Sequence, residues 1–286
     1  SGGSRGCAIL GAMSGNCVAA VVGAEGYGNE NYLLAVEAPE MAGECRPGQF
    51  VMAAEESGAL YPSPLLKRAL AVYSRRWQGR DGVLTLLLKV MGDGTRRLAS
   101  LRAGDRVSLV GPLGNGFSLD EAAGRESFLV AGGIGIASFL LLAEELAARG
   151  ERAVLVYGAR SASDLIGIDD FERLGMPVYV STDDGSRGIR GLVTGALDRA
   201  FREQAPRSPL ILTCGPTPMM KAVAGWSGQL GLPCRISVEN RMACGFGVCL
   251  GCTVKTQQGY RLACTHGPVF EAESFVFSER GDEGAP

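Results

Sequence analysis

The sequence has no excess of basic residues, almost no histidine, and few cysteines for its length. Its 28 Lys and Arg and 30 Asp and Glu give a formal charge of −2, whereas nucleic-acid-binding domains are usually basic, so we expect no nucleic-acid partner. The single histidine excludes a Rieske centre, which needs two. Nine cysteines in 286 residues make no disulfide scaffold. Their odd number and one tight cluster favour a reducing, cytoplasmic compartment and a metal site.

The chain also lacks an uncharged run of convincing membrane-spanning length. Residues 127–143 carry no charge over 17 residues, which is the lower limit for crossing a bilayer. Three glycines interrupt this run, and Glu144 and Glu145 continue its second half. It therefore predicts a buried strand, a glycine turn and a helix; a membrane span is the alternative.

Length and composition predict a globular protein of two domains with room for a small third, at roughly 100–200 residues per domain. Hydrophobic residues make up 46% and charged residues 20% of the chain, which is ordinary for a folded protein. The opening Ser1–Ser4 has no basic region followed by an apolar core, and we leave it out of the fold prediction. The predicted boundaries are a tail (1–15), a first domain (16–120), a second (125–232) and a third (233–286).

The first 120 residues read as all-β. Short apolar runs separated by turn residues predict a small sandwich or barrel. These runs are 18–22, 32–36, 50–52, 84–90 and 107–110. Residues 111–116, Gly-Pro-Leu-Gly-Asn-Gly, cannot lie inside a regular element and mark the exit from the domain.

From residue 127 the pattern changes to alternating strands and helices, which predicts a parallel sheet covered by helices. Gly150 and Gly231 stand where helices should end, and Thr194 is well placed as a helix N-cap. The predicted strands are 128–131, 153–157, 178–181, 210–213 and 235–239, and the predicted helices are 136–149, 164–174, 195–204 and 218–229.

Four cysteines near the C-terminus are the strongest chemical signal. Cys244, Cys249 and Cys252 follow the C-x4-C-x2-C spacing of plant-type [2Fe–2S] sites, and Cys264 supplies a separate fourth thiol. Intervening glycines allow the tight loop that wraps a cluster. A structural zinc site is the alternative, but zinc sites more often pair two short knuckles, whereas only Cys249 and Cys252 form one here.

Two glycine-containing turns follow predicted strands of the second domain. Gly132, Gly133 and Gly135 link a strand to a helix, and Cys214-Gly215 follows another strand. Helix N-termini and the carboxyl edges of parallel strands bind phosphates and nucleotides. Glycine turns also serve plain packing, and Cys214 can be a core thiol, so the turns alone leave both interpretations open.

The order and spacing of these motifs resemble the ferredoxin reductase superfamily, and within it the electron-transfer subunits of class 1B dihydroorotate dehydrogenase. The similarity runs from about Asn16 to Phe270. The segments that carry it are 92–95, 111–117, 132–135, 214–219, 239–252 and 264–270. The resemblance implies an FAD-binding antiparallel β-barrel, a parallel-sheet NAD-binding α/β domain and a small C-terminal [2Fe–2S] domain.

The resemblance also implies sites for two organic cofactors. Where the family has Arg-Pro-x-Ser-Ile against the flavin, this chain has Arg68-Ala-Leu-Ala-Val, so the arginine remains and the proline and serine are alanines. The implied FAD residues are Arg68, Ala69, Leu70, Ala71, Lys89, Gly94 and Thr95. The implied NAD(H) residues are Gly132, Gly133, Gly135, Asp183, Cys214 and Gly215. Asp183 and Asp184 disfavour a 2′-phosphate and hence favour NADH, whereas Arg160 and Arg187 act in the opposite direction.

The function implied by the resemblance is electron transfer in pyrimidine biosynthesis. The chain would pass electrons between NAD(H), FAD and the [2Fe–2S] cluster and a separate FMN-containing dihydroorotate dehydrogenase catalytic subunit, in a heterotetramer. No constellation for oxidising dihydroorotate is present, and no catalytic side chain is predicted. The alternatives are a reductase subunit for another acceptor (a hydrogenase, an oxygenase or another FMN enzyme) and a zinc-stabilised nucleotide-binding module.

Overall fold

The strands of the first domain close into a barrel. In this computed structural model the described residues are 15–56, 64–79 and 81–277, so most of the predicted tail lies outside them. The strands are β1 (Gly15–Gly26), β2 (Asn31–Glu37), β3 (Phe50–Glu55), β4 (Arg68–Gln78), β5 (Asp81–Lys89) and β6 (Arg106–Leu113). They pair in the closed order β1-β2-β5-β4-β3-β6, entirely antiparallel. Two helices, α1 (Pro39–Glu44) and α2 (Asp93–Ser100), pack against them. The predicted barrel is confirmed.

Strand β4 was not among the predicted strands, because its alanines and arginines hide the apolar alternation. A β-bulge interrupts it: Val72 pairs with Leu86 and Ser74 with Thr85, which leaves Tyr73 as the extra residue. Bulges re-aim side chains. Val72 accordingly packs inside the barrel, whereas Tyr73 packs into the core of the α/β domain.

The second half of the described chain forms the predicted helix-covered sheet. Its strands are β7 (Glu126–Gly132), β8 (Ala153–Ala159), β9 (Val178–Thr182), β10 (Ile189–Arg190), β11 (Pro209–Cys214), β12 (Cys234–Ser237) and β15 (Val269–Glu271). The order is β10-β9-β8-β7-β11-β12-β15, parallel except for the antiparallel pair β12 and β15. The helices are α3 (Leu119–Ala122), α4 (Leu140–Ala148), α5 (Ile168–Arg173), α6 (Val193–Gln204) and α7 (Thr217–Gln229). A hairpin of β13 (Thr253–Thr256) and β14 (Gly259–Leu262) follows the cysteine loop.

Several local predictions need correction. Residues 111–113 lie inside β6, so only residues 114–116 of the predicted exit are outside a regular element. Thr194 is not an N-cap: α6 begins at Val193, because Leu192 already has the extended backbone (φ −70°, ψ 154°) of the preceding position. The glycine turn leads into a 3₁₀ helix (Gly133–Ser138), and α4 starts only at Leu140. Residues 127–143 are thus a strand, a turn and a helix start, as predicted. Among the described residues, no helix is long and apolar enough to cross a membrane.

One carboxylate of α5 joins the barrel to the α/β domain. Asp170 Oδ2 accepts hydrogen bonds from the hydroxyl of Tyr27 at 2.6 Å and from that of Tyr73 at 2.5 Å, both on the barrel side. A second link pairs Arg75 of β4 with Glu145 of α4. These bonds fix α4 and α5 against the barrel wall.

The same interface holds a carboxyl group with an unusual affinity for its proton. Burial raises the pKa of Glu144 to about 7, and the negative charges of Asp170 and Glu145 add to the effect. Because the fold favours the protonated form, Glu144 reduces stability progressively as pH rises from about 4.5 to 7, and fully above that range.

We expect Glu144→Gln to stabilise the protein at pH 8 and to leave its stability nearly unchanged at pH 5. The pKa shift sets an upper limit of about 3 kcal/mol, which partial exposure reduces to about 1–2 kcal/mol. Chemical denaturation of wild type and variant at both pH values measures the difference. Exposed Glu172→Gln, on α5, is the control and should show no such pH dependence. An equal effect of Glu144→Gln at both pH values would contradict the prediction.

Candidate functional site

Two tight turns meet at the carboxyl edge of the parallel strands. A Cβ on Gly135 would collide with the carbonyl of Cys214, and one on Gly215 would lie 3.0 Å from the backbone nitrogen and Cα of Gly132. Gly133 adopts a positive φ of 53°. The structure thus brings these five predicted residues together, with the Met219 side chain packed against Gly132 and Gly215. A cradle of this kind at the carboxyl ends of the strands suits a dinucleotide.

Asp183 lies on the same edge, directly after β9, and its side chain is exposed. Its neighbour Asp184 serves the loop itself, since its Oδ1 accepts hydrogen bonds from the hydroxyl of Ser186 at 2.6 Å and from the Ser186 backbone N–H at 2.9 Å. These bonds hold the pKa of Asp184 below its usual value. Of the two acidic residues, Asp183 is therefore the one left to meet a ligand.

Beneath the cradle, the sulfur of Cys214 lies 3.4 Å from Ser138 Oγ and 3.9 Å from Glu239 Oε1. Burial raises the pKa of the Cys214 thiol to about 12, so it stays neutral. Glu239 is accessible to solvent, yet dense surrounding protein desolvates its carboxyl group and raises its pKa. Perturbed carboxyl groups in recesses often serve function. Sequence reasoning did not single out Glu239, although it ends the predicted strand 235–239.

In the barrel domain, the side chain of Arg68, at the start of β4, packs directly on Gly94 in the first turn of α2. A Cβ at residue 94 would come within 2.5–2.6 Å of the guanidinium atoms, so only glycine lets the arginine cover the first turn of α2. A guanidinium beside free backbone N–H groups suits a pyrophosphate. The Thr95 hydroxyl accepts a hydrogen bond from the Met91 N–H at 2.9 Å and donates one to the Gly92 carbonyl at 3.0 Å. It therefore holds the helix start, and its contact with flavin phosphate stays a prediction.

The rest of the predicted flavin stretch alternates across β4. Leu70 packs in the barrel core, whereas Ala69 and Ala71 pack outward against the cores shared with the rest of the chain. Both alanines are half-buried. Lys89 ends the neighbouring strand β5, so these residues lie on adjacent strands.

The four predicted metal-binding cysteines form two pairs. The sulfurs of Cys252 and Cys264 lie 3.2 Å apart, and the backbone N–H of Cys249 donates to the sulfur of Cys244 at 3.5 Å. Within the described residues, no three Cys, His, Asp or Glu side chains are grouped to hold a single metal ion. Two pairs of thiols match the donor set of a two-iron cluster, which four cysteines hold. We call these four residues the cysteine cage.

The backbone of the cage loop favours ionised sulfur. Burial opposes ionisation of Cys244, but hydrogen bonds from the backbone of Cys249, Phe246 and Val248 lower the pKa of its thiol to about 6. The thiolate is the form that binds metal. Burial and the neighbouring Cys252 raise the pKa of Cys264 to about 12, so a metal must displace its proton on binding.

The inner side of the cage packs against the barrel, and its outer side is exposed to solvent. Gly245, at a φ of 85°, is so close to the barrel that a Cβ would lie 2.6 Å from Met52 and 2.8 Å from Leu113. On the outer side, Val248 is 74% and Leu250 62% exposed. The inner side therefore faces the barrel wall, and the outer side presents apolar side chains to solvent.

Two protein-family models match the chain. The oxidoreductase NAD-binding domain matches residues 129–225, which include both turns of the cradle. The iron-sulfur cluster binding domain of dihydroorotate dehydrogenase B matches residues 239–276, which include all four cage cysteines.

Relatives cover nearly the whole chain. The electron transfer subunit of dihydroorotate dehydrogenase B (NAD(+)) from Caldanaerobacter subterraneus subsp. tengcongensis is 36% identical over 86% of this chain and 96% of its own length. That from Desulforamulus reducens is 35% identical over 86% and 92%. Among solved structures, an NADH-dependent reduced ferredoxin-NADP oxidoreductase, studied for flavin-based electron bifurcation, matches with a TM-score of 0.78. It is 30% identical and covers 93% of this chain and 92% of the matched chain.

We expect Gly135→Ala to weaken NADH binding at least tenfold, because the added methyl group pushes the two turns of the cradle apart. The loss should appear in the dissociation constant measured by titrating the purified protein with NADH. The control is Gly225→Ala, on α7, where a Cβ has open space and binding should not change. Unaltered NADH affinity in Gly135→Ala would place the dinucleotide elsewhere.

Proposed function

Since the chain belongs to the family of dihydroorotate dehydrogenase B (NAD(+)) electron transfer subunits, we propose that it carries electrons between NAD(H) and an FMN-containing catalytic subunit that acts on dihydroorotate in pyrimidine biosynthesis. It is an oxidoreductase subunit with a reductase-like barrel, an NAD-binding domain and an iron–sulfur binding domain. FAD and a [2Fe–2S] cluster are the cofactors of the proposal.

One observation carries the proposal: the cysteine cage contacts the flavin-side barrel on one side and solvent on the other. The inner contact is that of Gly245 with Met52 and Leu113. On the outer side Cys249 is exposed. A group held in this cage therefore lies between the barrel and any protein that docks at the outer side.

The chain's own residues bind and orient, and the cofactors supply the reactions. When bound, NADH provides a hydride, FAD accepts the electron pair, and the cluster passes electrons singly. Arg68 and Gly94 would hold the flavin pyrophosphate, and the cradle around Gly135 would hold the dinucleotide at the carboxyl edge of the sheet. Asp183, exposed after β9, disfavours a 2′-phosphate, so NADH is the proposed donor.

The partner is proposed to dock at the outer side of the cage. Phe246, Val248 and Leu250 are all exposed apolar residues there, and Leu250 has a positive φ of 60°, which a branched side chain adopts at a cost. Exposed apolar patches commonly mark interaction sites. A heterotetramer of two such pairs of subunits completes the proposal. The described cysteines form no disulfide, which supports a cytoplasmic location.

A second candidate is a reductase subunit that serves a different acceptor. It is favoured by the 30% identity to the NADH-dependent ferredoxin-NADP oxidoreductase and by the replacement of the family's Pro and Ser by Ala69 and Ala71. Combining the protein with an FMN-containing dihydroorotate dehydrogenase catalytic subunit separates the two candidates. Absence of NAD-linked dihydroorotate oxidation would favour the second.

The decisive experiment is the visible spectrum of the purified protein before and after anaerobic NADH. Wild type should contain iron, sulfide and flavin, and NADH should bleach both the flavin and the cluster bands. Cys249→Ser should lose most of the cluster bands and keep the NADH-dependent flavin bleaching, because its sulfur belongs only to the cage. Cys17→Ser, outside the cage, is the control. A colourless wild-type protein, or one with zinc in the cage, would overturn the proposal.

We expect Val248→Asp to weaken the functional affinity for the catalytic subunit by about tenfold or more, since a charge then enters an apolar contact. Titrating the variant against a fixed amount of that subunit, with NAD-linked dihydroorotate oxidation as the signal, measures the change. Leu230→Asp, at another exposed apolar site directly after α7, is the control. Equal titration curves for both variants would place the docking surface elsewhere.

A further inference from the structure

The loop that leaves the barrel after β6, residues 114–117, contacts the segment that carries Cys264. At its centre, the backbone N–H of Asn115 donates to the Gly267 carbonyl at 2.6 Å, and its side-chain Nδ2 donates to the Thr265 carbonyl at 2.9 Å. The Asn115 carbonyl also accepts from the Val269 N–H at 3.4 Å. One residue therefore bonds to three positions in the five residues that follow Cys264.

The loop is itself fixed to the barrel. Gln49 Nε2 donates to the Gly114 carbonyl at 2.8 Å, and the Phe117 N–H donates to the Pro47 carbonyl at 2.9 Å. A Cβ on Gly114 would lie 2.6 Å from Pro268. The loop therefore has little conformational freedom. The hydrogen bonds of Asn115 fix the Cys264 segment relative to the barrel.

The opposite side of the cage rests on the same part of the barrel. Gly245, next to Cys244, packs on Met52 of β3 and Leu113 of β6. Met52 is also the register partner of Ala69 on β4, which is the second residue of the proposed flavin stretch. The direct contact at Gly245 and the hydrogen bonds of Asn115 thus hold the cage from two sides beside that stretch.

We infer that Asn115 is a positioning residue for electron transfer between the flavin and the cluster. The inference rests on the proposed function. Asn115 fixes the Cys264 side of the cage against the barrel, and in this way it fixes the separation between the two cofactors. Asn115 is exposed, so it holds the loop through these hydrogen bonds and not through a place in the core. Electrons would pass singly from the bound flavin to the cluster across this fixed separation, with NADH as their source.

The test compares Asn115→Ala and the isosteric Asn115→Asp, both without the Nδ2 donor, with wild-type holoprotein. Gln257→Ala is the matched control, since it removes a carboxamide-to-carbonyl bond (2.7 Å, to Glu273) in the same part of the chain. Amides of residues 265–267 and 269 should exchange with solvent about fivefold faster in both Asn115 variants, the factor expected for losing one hydrogen bond. Exchange elsewhere in the chain should not change.

Anaerobic stopped-flow mixing with NADH gives the second readout. In the Asn115 variants the flavin should bleach at the wild-type rate while the cluster bleaches more slowly, with iron and sulfide contents unchanged. The electron paramagnetic resonance spectrum of the reduced cluster should broaden as the Cys264 segment samples more positions. The Gln257 control should match wild type in every measurement.

Three outcomes would overturn the inference: equal slowing of the flavin and cluster phases, unchanged kinetics despite faster exchange, or loss of iron in proportion to loss of rate. The last would assign Asn115 a role in cluster retention alone. Failure of NADH to bleach the flavin of wild-type protein would instead overturn the proposed function. In that case reduction by dithionite still gives the resonance spectra, and these together with amide exchange decide whether Asn115 positions the segment.

Discussion

The arrangement of the whole molecule depends on one close approach, in which the cysteine loop lies on the barrel wall at Gly245. Any side chain there would have to displace Met52 and Leu113, which form part of two neighbouring barrel strands. Because one of them, β3, pairs with β4 along the proposed flavin stretch, the distance between the two proposed redox sites follows from packing and not from a flexible linker. Buried Cys252 and Cys264 belong to the same apolar core as Met52, so the barrel, the α/β sheet and the cage share one interior.

The α/β domain is fixed to the barrel by a second, polar constraint. The bulge in β4 turns Tyr73 away from the barrel interior, and Asp170 then accepts hydrogen bonds from both Tyr73 and Tyr27. A single strand thus contributes Arg68 at its start and Tyr73 five residues later, one toward the proposed flavin site and one toward the dinucleotide domain. The relative position of the two cofactor sites is built into the backbone of β4.

The parts of this structure that depend on neighbours in sequence could be predicted from it. The spacing of Cys244, Cys249 and Cys252 and the glycine turn at 132–135 are local patterns, and the alternation of apolar runs reveals most strands and the fold class. Strand β4 was missed because Ala69 and Ala71 give no apolar signal, although they face packed cores. No individual role was predicted for Asn115 or Glu239, although both lie in family-like segments, because their partners, Thr265 and Cys214, are distant in the chain and only the folded structure brings them together.

The departure from the family's flavin pattern lies between the proposed flavin site and the cysteine cage. Ala69 stands where the family has proline, and its register partner Met52 is the residue that contacts Gly245. Proline lacks the N–H group and fixes its own backbone angle, whereas alanine does neither. With alanine there, the position of the stretch depends on its pairing with β3, which pairs with β6 on its other side and contacts the cysteine loop through Met52. In this chain the packing of the cage therefore contributes to the position of the proposed flavin stretch as well as to that of the proposed cluster site.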